Sequence, residues 1–373
     1  MKYLKWLLSF TSRTINIIFV VLLLVSLSAS YISPEKIWFL PFAGMLLPFF
    51  ILVNLGFVLS WILRKRHFAV VSLLAIAACV PQLFNLAATN IGKPGSESKT
   101  AKKIKVLSYN VRDFDLYNWS ENIDSKQKIM QTIKDKDADV ICFQEFYNDT
   151  TKEFNTITQL QKIGYKYYFF TRELVLRNTD EWGIAIFSKL PIKEHGNIMK
   201  QPFKTGYGKK PFKGLYADIA IGDTVIRFVN VHLQSIYFGT EDYETIQEFR
   251  ETQNLDEHGA KNIIIKLKRA FERRAQQADK LKKFLNAQTK PIILCGDFND
   301  LPNSYVANTI SEDLKDAFIN YSFGIGHTYN GKIPFLRIDY MLTTPAFTVH
   351  KFQVVNNKIS DHFPIYGEFT LGK

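Results

Sequence analysis

Three apolar runs fill most of the first 89 residues and decide what the chain can become. Residues 14–32 carry no charged side chain and match the roughly 20 helical residues that cross a bilayer. Residues 37–63 form a second run, interrupted by Pro41 and Pro48, and residues 68–88 form a third. We read residues 1–89 as a membrane anchor of about three spanning helices. Prolines are tolerated in such helices when neighbours satisfy the freed carbonyls. Trp6, Trp38 and Trp61 stand near the ends of the runs, where amphipathic rings prefer the interface.

Loop charges orient the anchor. Lys2, Lys5 and Arg13 precede or open the first run, and Arg64, Lys65, Arg66 and His67 separate the second and third. The turn at 31–36 holds one acid and one base. The positive-inside bias therefore puts the N-terminus and residues 64–66 in the cytoplasm. After three crossings, everything from about residue 89 lies outside, on a multi-pass protein of the plasma (inner) membrane. Lys93, Lys99, Lys102, Lys103 and Lys105 pull the other way, but long domains translocate largely regardless of charge. A cleaved signal peptide over residues 1–30, ending at Ser28-Ala29-Ser30, is the rival reading. The two further runs favour an uncleaved anchor. Residues 90–103, with Gly92, Pro94, Gly95, Ser96 and Ser98, read as a flexible linker.

The net charge of +12 invites a nucleic-acid reading, but the excess is unevenly placed. Residues 1–103 contribute +9 and residues 104–373 only +3. Basic membrane flanks say little about DNA, which needs a basic face on the binding domain. Charge therefore does not favour a nucleic-acid partner, although Lys200, Lys204, Lys209, Lys210 and Lys213 make a local basic stretch. Cys79, Cys142 and Cys295 lie in apolar runs and read as small buried hydrophobes. No Cys/His spacing suggests structural zinc.

Residues 104–373 alternate as short strands. Strand patterns cover 104–109, 140–143, 165–171, 183–188, 215–221, 225–231, 291–295, 337–342 and 364–370, with helical spacing at 125–136 and 261–285. Gly222-Asp223 is the best two-residue hairpin signal. Many short strands with few helices argue for a mixed-sheet, layered α/β fold rather than a doubly wound parallel one. Residues 236–259 lack an apolar period and read as a surface loop, facing substrate or acting as a lid.

Several strand patterns end on paired polar groups, where a rigid sheet aims side chains at a common point. In chain order come Ser108-Tyr109-Asn110-Val111-Arg112, Gln144-Glu145, Trp182-Gly183 through Ser188-Lys189, Asn230-Val231-His232-Leu233, Gly296-Asp297-Phe298-Asn299, Arg337-Ile338-Asp339-Tyr340 and Ser360-Asp361-His362-Phe363-Pro364. Taken singly, each has an ordinary reading: a strand-end acid at Glu145, a turn at Asp297 and Asn299, a core histidine at His232, a surface turn at His362. Together and in this order, they resemble the endonuclease/exonuclease/phosphatase superfamily. Its members include DNase I-like nucleases, inositol polyphosphate 5-phosphatases and neutral sphingomyelinases. The resemblance covers residues 104–373.

That resemblance implies a four-layer α-β-β-α sandwich of the DNase I type, preceded here by the three-helix membrane segment. It implies that Asn110, Glu145 and Asp361 hold a divalent cation, Mg²⁺ or Mn²⁺, with Glu145 the principal ligand. Asp297 orients or deprotonates the attacking water, and Asn299 holds that water or donates to the phosphate. His232 and His362 contact the non-bridging oxygens, and Asp339 fixes the tautomer of His362. Thr328-Tyr329 receive no role.

Three functions follow as expectations. The first is a membrane-anchored, metal-dependent phosphoesterase cleaving a phosphodiester, phosphomonoester or pyrophosphate, with a lipid-linked substrate compatible with the anchor. The second is an extracytoplasmic nuclease, since substrate choice within such folds lives in loops around a shared site. The third is an inactive binding module.

Overall fold

Alternating apolar residues after residue 103 build two mixed sheets, and the site lies at one end of the space between them. A computed structural model describes residues 2–90, 103–151, 154–198, 213–236, 241, 245, 251–252, 256–331 and 335–372, with side chains from residue 10 onward. Lys2, Lys5 and Trp6 as side chains, most of the linker, Lys200 to Lys210 and much of residues 236–259 lie outside the described residues. The chain divides into two units. One joins Met1–Leu86 with Ser235–Ala278 and Leu301–Thr309; the other joins Ala87–Gln234, Asp279–Asp300 and Ile310–Lys373.

The strands of the second unit are β1 (Ala88–Thr89), β2 (Ile104–Asn110), β3 (Val140–Asp149), β4 (Tyr167–Leu176), β5 (Asp180–Ser188), β6 (Ile192–Asn197) and β7 (Lys213–Ile221). They continue as β8 (Thr224–His232), β9 (Ile292–Asp297), β10 (Lys315–Asp316), β11 (Phe323–Gly324), β12 (Asp339–Thr343), β13 (Phe347–Val354) and β14 (Ile365–Leu371). One sheet runs β13-β14-β2-β3-β5-β4 and the other β10-β12-β9-β8-β7-β6. Strands β2 and β3 pair in parallel, as do β8 and β9. The remaining neighbours in both sheets are antiparallel. Ile221 faces Thr224 across Gly222-Asp223, and Gly222 has φ +62°, the conformation such a hairpin turn requires.

Period-two alternation sorts each strand into two faces. Val106, Cys142 and Ile186 of the first sheet pack with Phe228, Cys295 and Met341 of the second in one inter-sheet core. The opposite face of the first sheet, with Leu107, Ile141 and Phe143, packs under Ile129 and Ile133 of the helix Ser125–Lys136 and Leu160 of the helix Thr156–Lys162. On the second sheet, Tyr216 meets Phe284 at a ring-centroid distance of 5.7 Å, near the end of the helix Glu257–Asn286. This is the layered arrangement expected, with mixed rather than parallel sheets.

The first unit departs from three unbroken spanning helices. By length and composition, the helix over Phe10–Ser28 suffices alone to cross a bilayer among the described residues. The second run breaks into Leu40–Met45 and Leu47–Leu63, each with proline in its first turn, where a missing N–H costs least. Leu47–Leu63 has 17 residues, about 25 Å at 1.5 Å per residue. The third run breaks into Ala69–Ala78 and Val80–Leu86, bent by 53°, with Pro81 opening the second piece. If that bent pair is one span, the count is two. Trp61 also differs from its expected interfacial place: it is 1% exposed and donates through Nε1 to Asn16 Oδ1 at 2.8 Å.

Polarity in this unit is inverted. Asn16, Ser26, Asn54, Ser72 and Gln82 are buried, whereas Leu52, Leu59, Leu63 and Leu74 are at least 60% exposed.

Candidate active site

The site begins where the inter-sheet core stops being apolar. On the same face as Val106 and then Ser108 comes Asn110; beyond Phe228 and Asn230 comes His232; beyond Ile293 and Cys295 comes Asp297. Asp339 precedes Met341 on the antiparallel strand. Register then sets these groups in a row. Lys213 stands opposite His232, His232 opposite Asp297, and Asp297 opposite Asp339, across β7, β8, β9 and β12. Residues directly opposite in neighbouring strands point to one face.

Asp297 is the hub. It is 1% exposed and its Oδ2 accepts from Asn110 Nδ2 and Asn299 Nδ2, both at 3.1 Å. Asn299 N donates to Oδ1 at 2.8 Å, made possible by a left-handed φ of +53° at Asn299. The Asn299 amide also donates to Leu233 O at 3.1 Å, so this side chain pins the loop. His232 Nε2 lies 3.6 Å and His362 Nε2 3.7 Å from Asp297 Oδ2. Gly296 allows the strand to reach this point: a side chain there would put Cβ 2.1 Å from Val231 O.

Glu145 enters from the other sheet. The β3–β5 register shifts between Phe143 and Phe146, and Glu145 takes φ +48°. This bulge re-aims its carboxylate, a recurrent use of bulges beside sites, to 3.7 Å from His232 Nε2. Asp361 stands at the rim, 26% exposed, with Arg112 Nε 3.5 Å away. His362 Nδ1 is 2.9 Å from Asp339 Oδ2. All eight predicted residues therefore belong to one neighbourhood, with Asp361 at its edge.

Burial and charge then separate the titrating groups. Burial pushes the Asp297 carboxyl up to about 7, with His362 opposing and Asp339 adding to the shift. Burial also raises Glu145, and the Asp361 charge raises it further. For His362, burial disfavours the imidazolium, but Asp339 and Asp297 outweigh it and raise the ring well above ordinary histidine. His232 goes the other way: burial, then Lys213 and His362, lower it well below. The two imidazoles are thus pushed in opposite directions. Both nitrogens of His232 are buried without a hydrogen-bond partner among the described residues, an arrangement that carries a desolvation cost.

The donor set fits a hard divalent cation. Asn110, Glu145 and Asp361 offer oxygens, the ligands Mg²⁺ prefers, and the Asp361 charge adds to the burial that raises Glu145, a repulsion that a cation would offset. Asp297, Asp339 and His362 also bring ligand atoms within 4.8 Å of one another, but Asp339 is already committed to His362 Nδ1.

Two supporting residues have no sequence assignment. Thr328 Oγ1 accepts from Ile338 N and Asp339 N, both at 3.0 Å, fixing Asp339. The Tyr329 ring lies edge-on to His362 at 5.3 Å. Asn230 joins the sheets, accepting from Gln144 Nε2 at 2.6 Å and donating to Phe143 O at 2.8 Å. The Asn230-Val231-His232 pattern contained that signal; nothing in the sequence brought Thr328 to Asp339.

Comparison with known proteins bears on the family and the fold. Residues 107–362 match the Endonuclease/Exonuclease/phosphatase family, and residues 6–86 match a domain family of unknown function. No curated protein matches at a significant level. The catalytic domain of human Nocturnin with bound sulfate anion is 16% identical, covering 72% of this chain and 94% of its own, with a TM-score of 0.50. An endonuclease/exonuclease/phosphatase family protein from Bacteroides thetaiotaomicron is 18% identical, covering 73% and 96%, also with a TM-score of 0.50. At such identities these structures speak for the fold alone. The family match spans well over half of the 373 residues, and the chain belongs to the endonuclease/exonuclease/phosphatase family.

Proposed function

We propose that this chain is a membrane-anchored, divalent-cation-dependent phosphoesterase that acts on a phosphate compound at or near a lipid surface. One observation carries the chemistry: Asp297 Oδ2 is the common neighbour of His232 Nε2, His362 Nε2 and Asn110 Nδ2, at 3.6, 3.7 and 3.1 Å. A carboxylate held near neutrality, beside two imidazoles pushed in opposite directions, is equipped to move a proton and stabilise oxyanion charge.

In this reading Asp297 takes the proton of the attacking water. Water oxygen bonds to phosphorus in line with the breaking bond to the leaving oxygen. His362, kept protonated by Asp339, donates to a non-bridging oxygen as its charge grows, and His232 contacts another. Asn110 and Asn299 keep the Asp297 carboxylate in place. Asn110, Glu145 and Asp361 hold Mg²⁺ or Mn²⁺, which when bound neutralises charge on the phosphate oxygens.

Inverted polarity supports the anchor, because a bundle with buried Asn16, Asn54 and Ser72 and exposed leucines suits lipid better than water. One end of the bundle is basic: Arg64 lies 5.6 Å from the Trp61 ring and Arg13 5.9 Å from Phe68. The opposite end engages other parts of the same unit. Ser30 Oγ donates to Asn303 O at 2.6 Å, and Asn303 Nδ2 to Gly44 O at 2.7 Å. Phe42 meets Phe271 at 5.3 Å. These contacts favour an uncleaved N-terminus, with the basic end cytoplasmic and residues after 89 outside.

The full chain in lipid nanodiscs, supplied with Mg²⁺ or Mn²⁺, is expected to cleave a lipid pyrophosphate or a sphingomyelin-type diester and to stop when EDTA is added. Cleavage of plasmid DNA alone would make it a nuclease instead. Cleavage that persists in EDTA would remove the cation from the mechanism.

A further inference from the structure

The backbone after β2 is strained. Arg112, Asp113, Phe114 and Asp115 have positive φ between 45° and 59°. Such backbone is strained for L-residues and persists only when the surroundings impose it. Phe114 is 1% exposed and packs on Phe146 at 5.5 Å; Asp115 accepts from Ser120 N at 3.2 Å. The turn so fixed presents aromatic surface next to the site. The Arg112 guanidinium lies 4.7 Å from the Trp119 ring centroid, and the same guanidinium reaches Asp361 at 3.5 Å. Tyr117 lies 4.9 Å from Trp119. Yet Tyr117 and Trp119 are 58% and 46% exposed.

A second apolar surface is tied to the same site. Leu174, Val175 and Leu176 are consecutive on the edge strand β4 and each 45–48% exposed. Their neighbour Glu173 pairs with Lys213 at 2.9 Å, and Lys213 stands opposite His232. An aliphatic edge open on both faces is an aggregation liability, and exposed apolar surface beside a polar site marks a ligand surface.

Phosphate itself has no use for either surface. We propose that Tyr117, Trp119, Leu174, Val175 and Leu176 receive an apolar group carried on the substrate's phosphate. The inference rests on the phosphoesterase reading and narrows its substrate class. Hydrocarbon suits the surfaces better than a nucleobase: Arg112 already covers part of Trp119, and the β4 residues offer neither ring nor hydrogen bond. The apolar group has two sources, a lipid in the bilayer or a free alkyl ester.

Calorimetry on the full chain in phosphatidylcholine nanodiscs with Mg²⁺, corrected against empty nanodiscs, compares inorganic phosphate with hexyl phosphate. Partial burial of the chain is expected to make hexyl phosphate about tenfold tighter. Trp119→Ala is expected to bring the two within about twofold, and Leu176→Ser to remove part of the preference. Both positions are half exposed, so the fold should survive. Equal affinities in the wild type, or an undiminished preference in both variants, overturn the inference while leaving the phosphate site intact. Binding of neither compound removes the phosphate site and the inference with it. Adding phosphatidate to the nanodiscs separates the sources: displacement of hexyl phosphate supports a bilayer lipid, and its absence supports a free ester.

Discussion

His362 Nδ1 lies 2.9 Å from Asp339 Oδ2, while Nε2 of the same ring turns to Asp297 Oδ2 at 3.7 Å. One imidazole therefore joins a carboxylate that orients it to another in the centre of the site. Nδ1 donates to Asp339 when the ring is charged, leaving Nε2–H for an incoming oxygen.

Asp339→Asn tests that relationship. Burial alone would depress His362; Asp339 and Asp297 raise it well above the usual value. A histidine raised on folding adds stability below its unfolded value, near 6.5, and loses that stability as pH climbs through the folded value. The variant should titrate at lower pH, by NMR of the ring, and lose about 10²- to 10³-fold in turnover at neutral pH. An unshifted titration would show that Asp339 does not set the charge of His362.

Asp297→Asn should separate stability from activity. Burial raises the Asp297 carboxyl to about 7, so ionising it in the metal-free protein costs stability as pH rises from about 4, its ordinary value, towards 7. The neutral amide avoids that cost. Turnover should fall by about 10³-fold or more, as for loss of a general base, while the metal-free thermal midpoint at pH 7.5 rises by a few degrees. A lower midpoint at that pH would mean that the hydrogen bonds from Asn110 and Asn299 outweigh the burial cost.

Much of this arrangement was legible because strand alternation changes character at a definite point. Cys295 gives way to Asp297, and Phe228 to Asn230 and His232, without a break in the period of two. The chain order of such endings carried the layered fold and picked out the eight residues that the structure brings into one neighbourhood. What was not legible depended on backbone that side-chain pattern does not reveal. Glu145 reaches the site through a positive φ at a register shift, and Arg112 to Asp115 turn left-handed without a glycine. The strand β13 went unread because its pattern shifts register between Val349 and Lys351. In the first unit, hydropathy gave the runs, but Pro81 and the Leu46 break decided their division into helices. Trp61 looked interfacial because nothing in its neighbourhood announced Asn16, 45 residues away.

Glu145→Gln should abolish stabilisation by metal. If Asn110, Glu145 and Asp361 hold the cation, Mg²⁺ or Mn²⁺ at 100 times its dissociation constant adds about 2.7 kcal/mol to the folded state. In the full chain in nanodiscs, Mn²⁺ should raise the thermal midpoint and EDTA reverse it. The variant, which keeps the shape of the side chain but not its charge, should show little rise. An equal rise in both proteins would place the cation elsewhere.

Asn16→Leu addresses the first unit. Asn16 Nδ2 donates to Ser72 Oγ at 2.6 Å, Asn16 Oδ1 accepts from Trp61 Nε1 at 2.8 Å, and Ser72 Oγ donates to Asn54 Oδ1 at 3.0 Å. The network links the helices Lys2–Ser28, Leu47–Leu63 and Ala69–Ala78. Removing Asn16 takes the acceptor from Trp61 Nε1 and one of the two hydrogen bonds from Ser72 Oγ, which keeps Asn54, in an apolar setting where interhelical hydrogen bonds contribute about 0.6–2 kcal/mol. Unfolding in mixed detergent micelles should show a loss of that order. Leu52→Ala, at a position 68% exposed on the bundle surface, should change it far less. If Leu52→Ala proved the more damaging, the leucine face rather than the asparagine network would be what joins these helices.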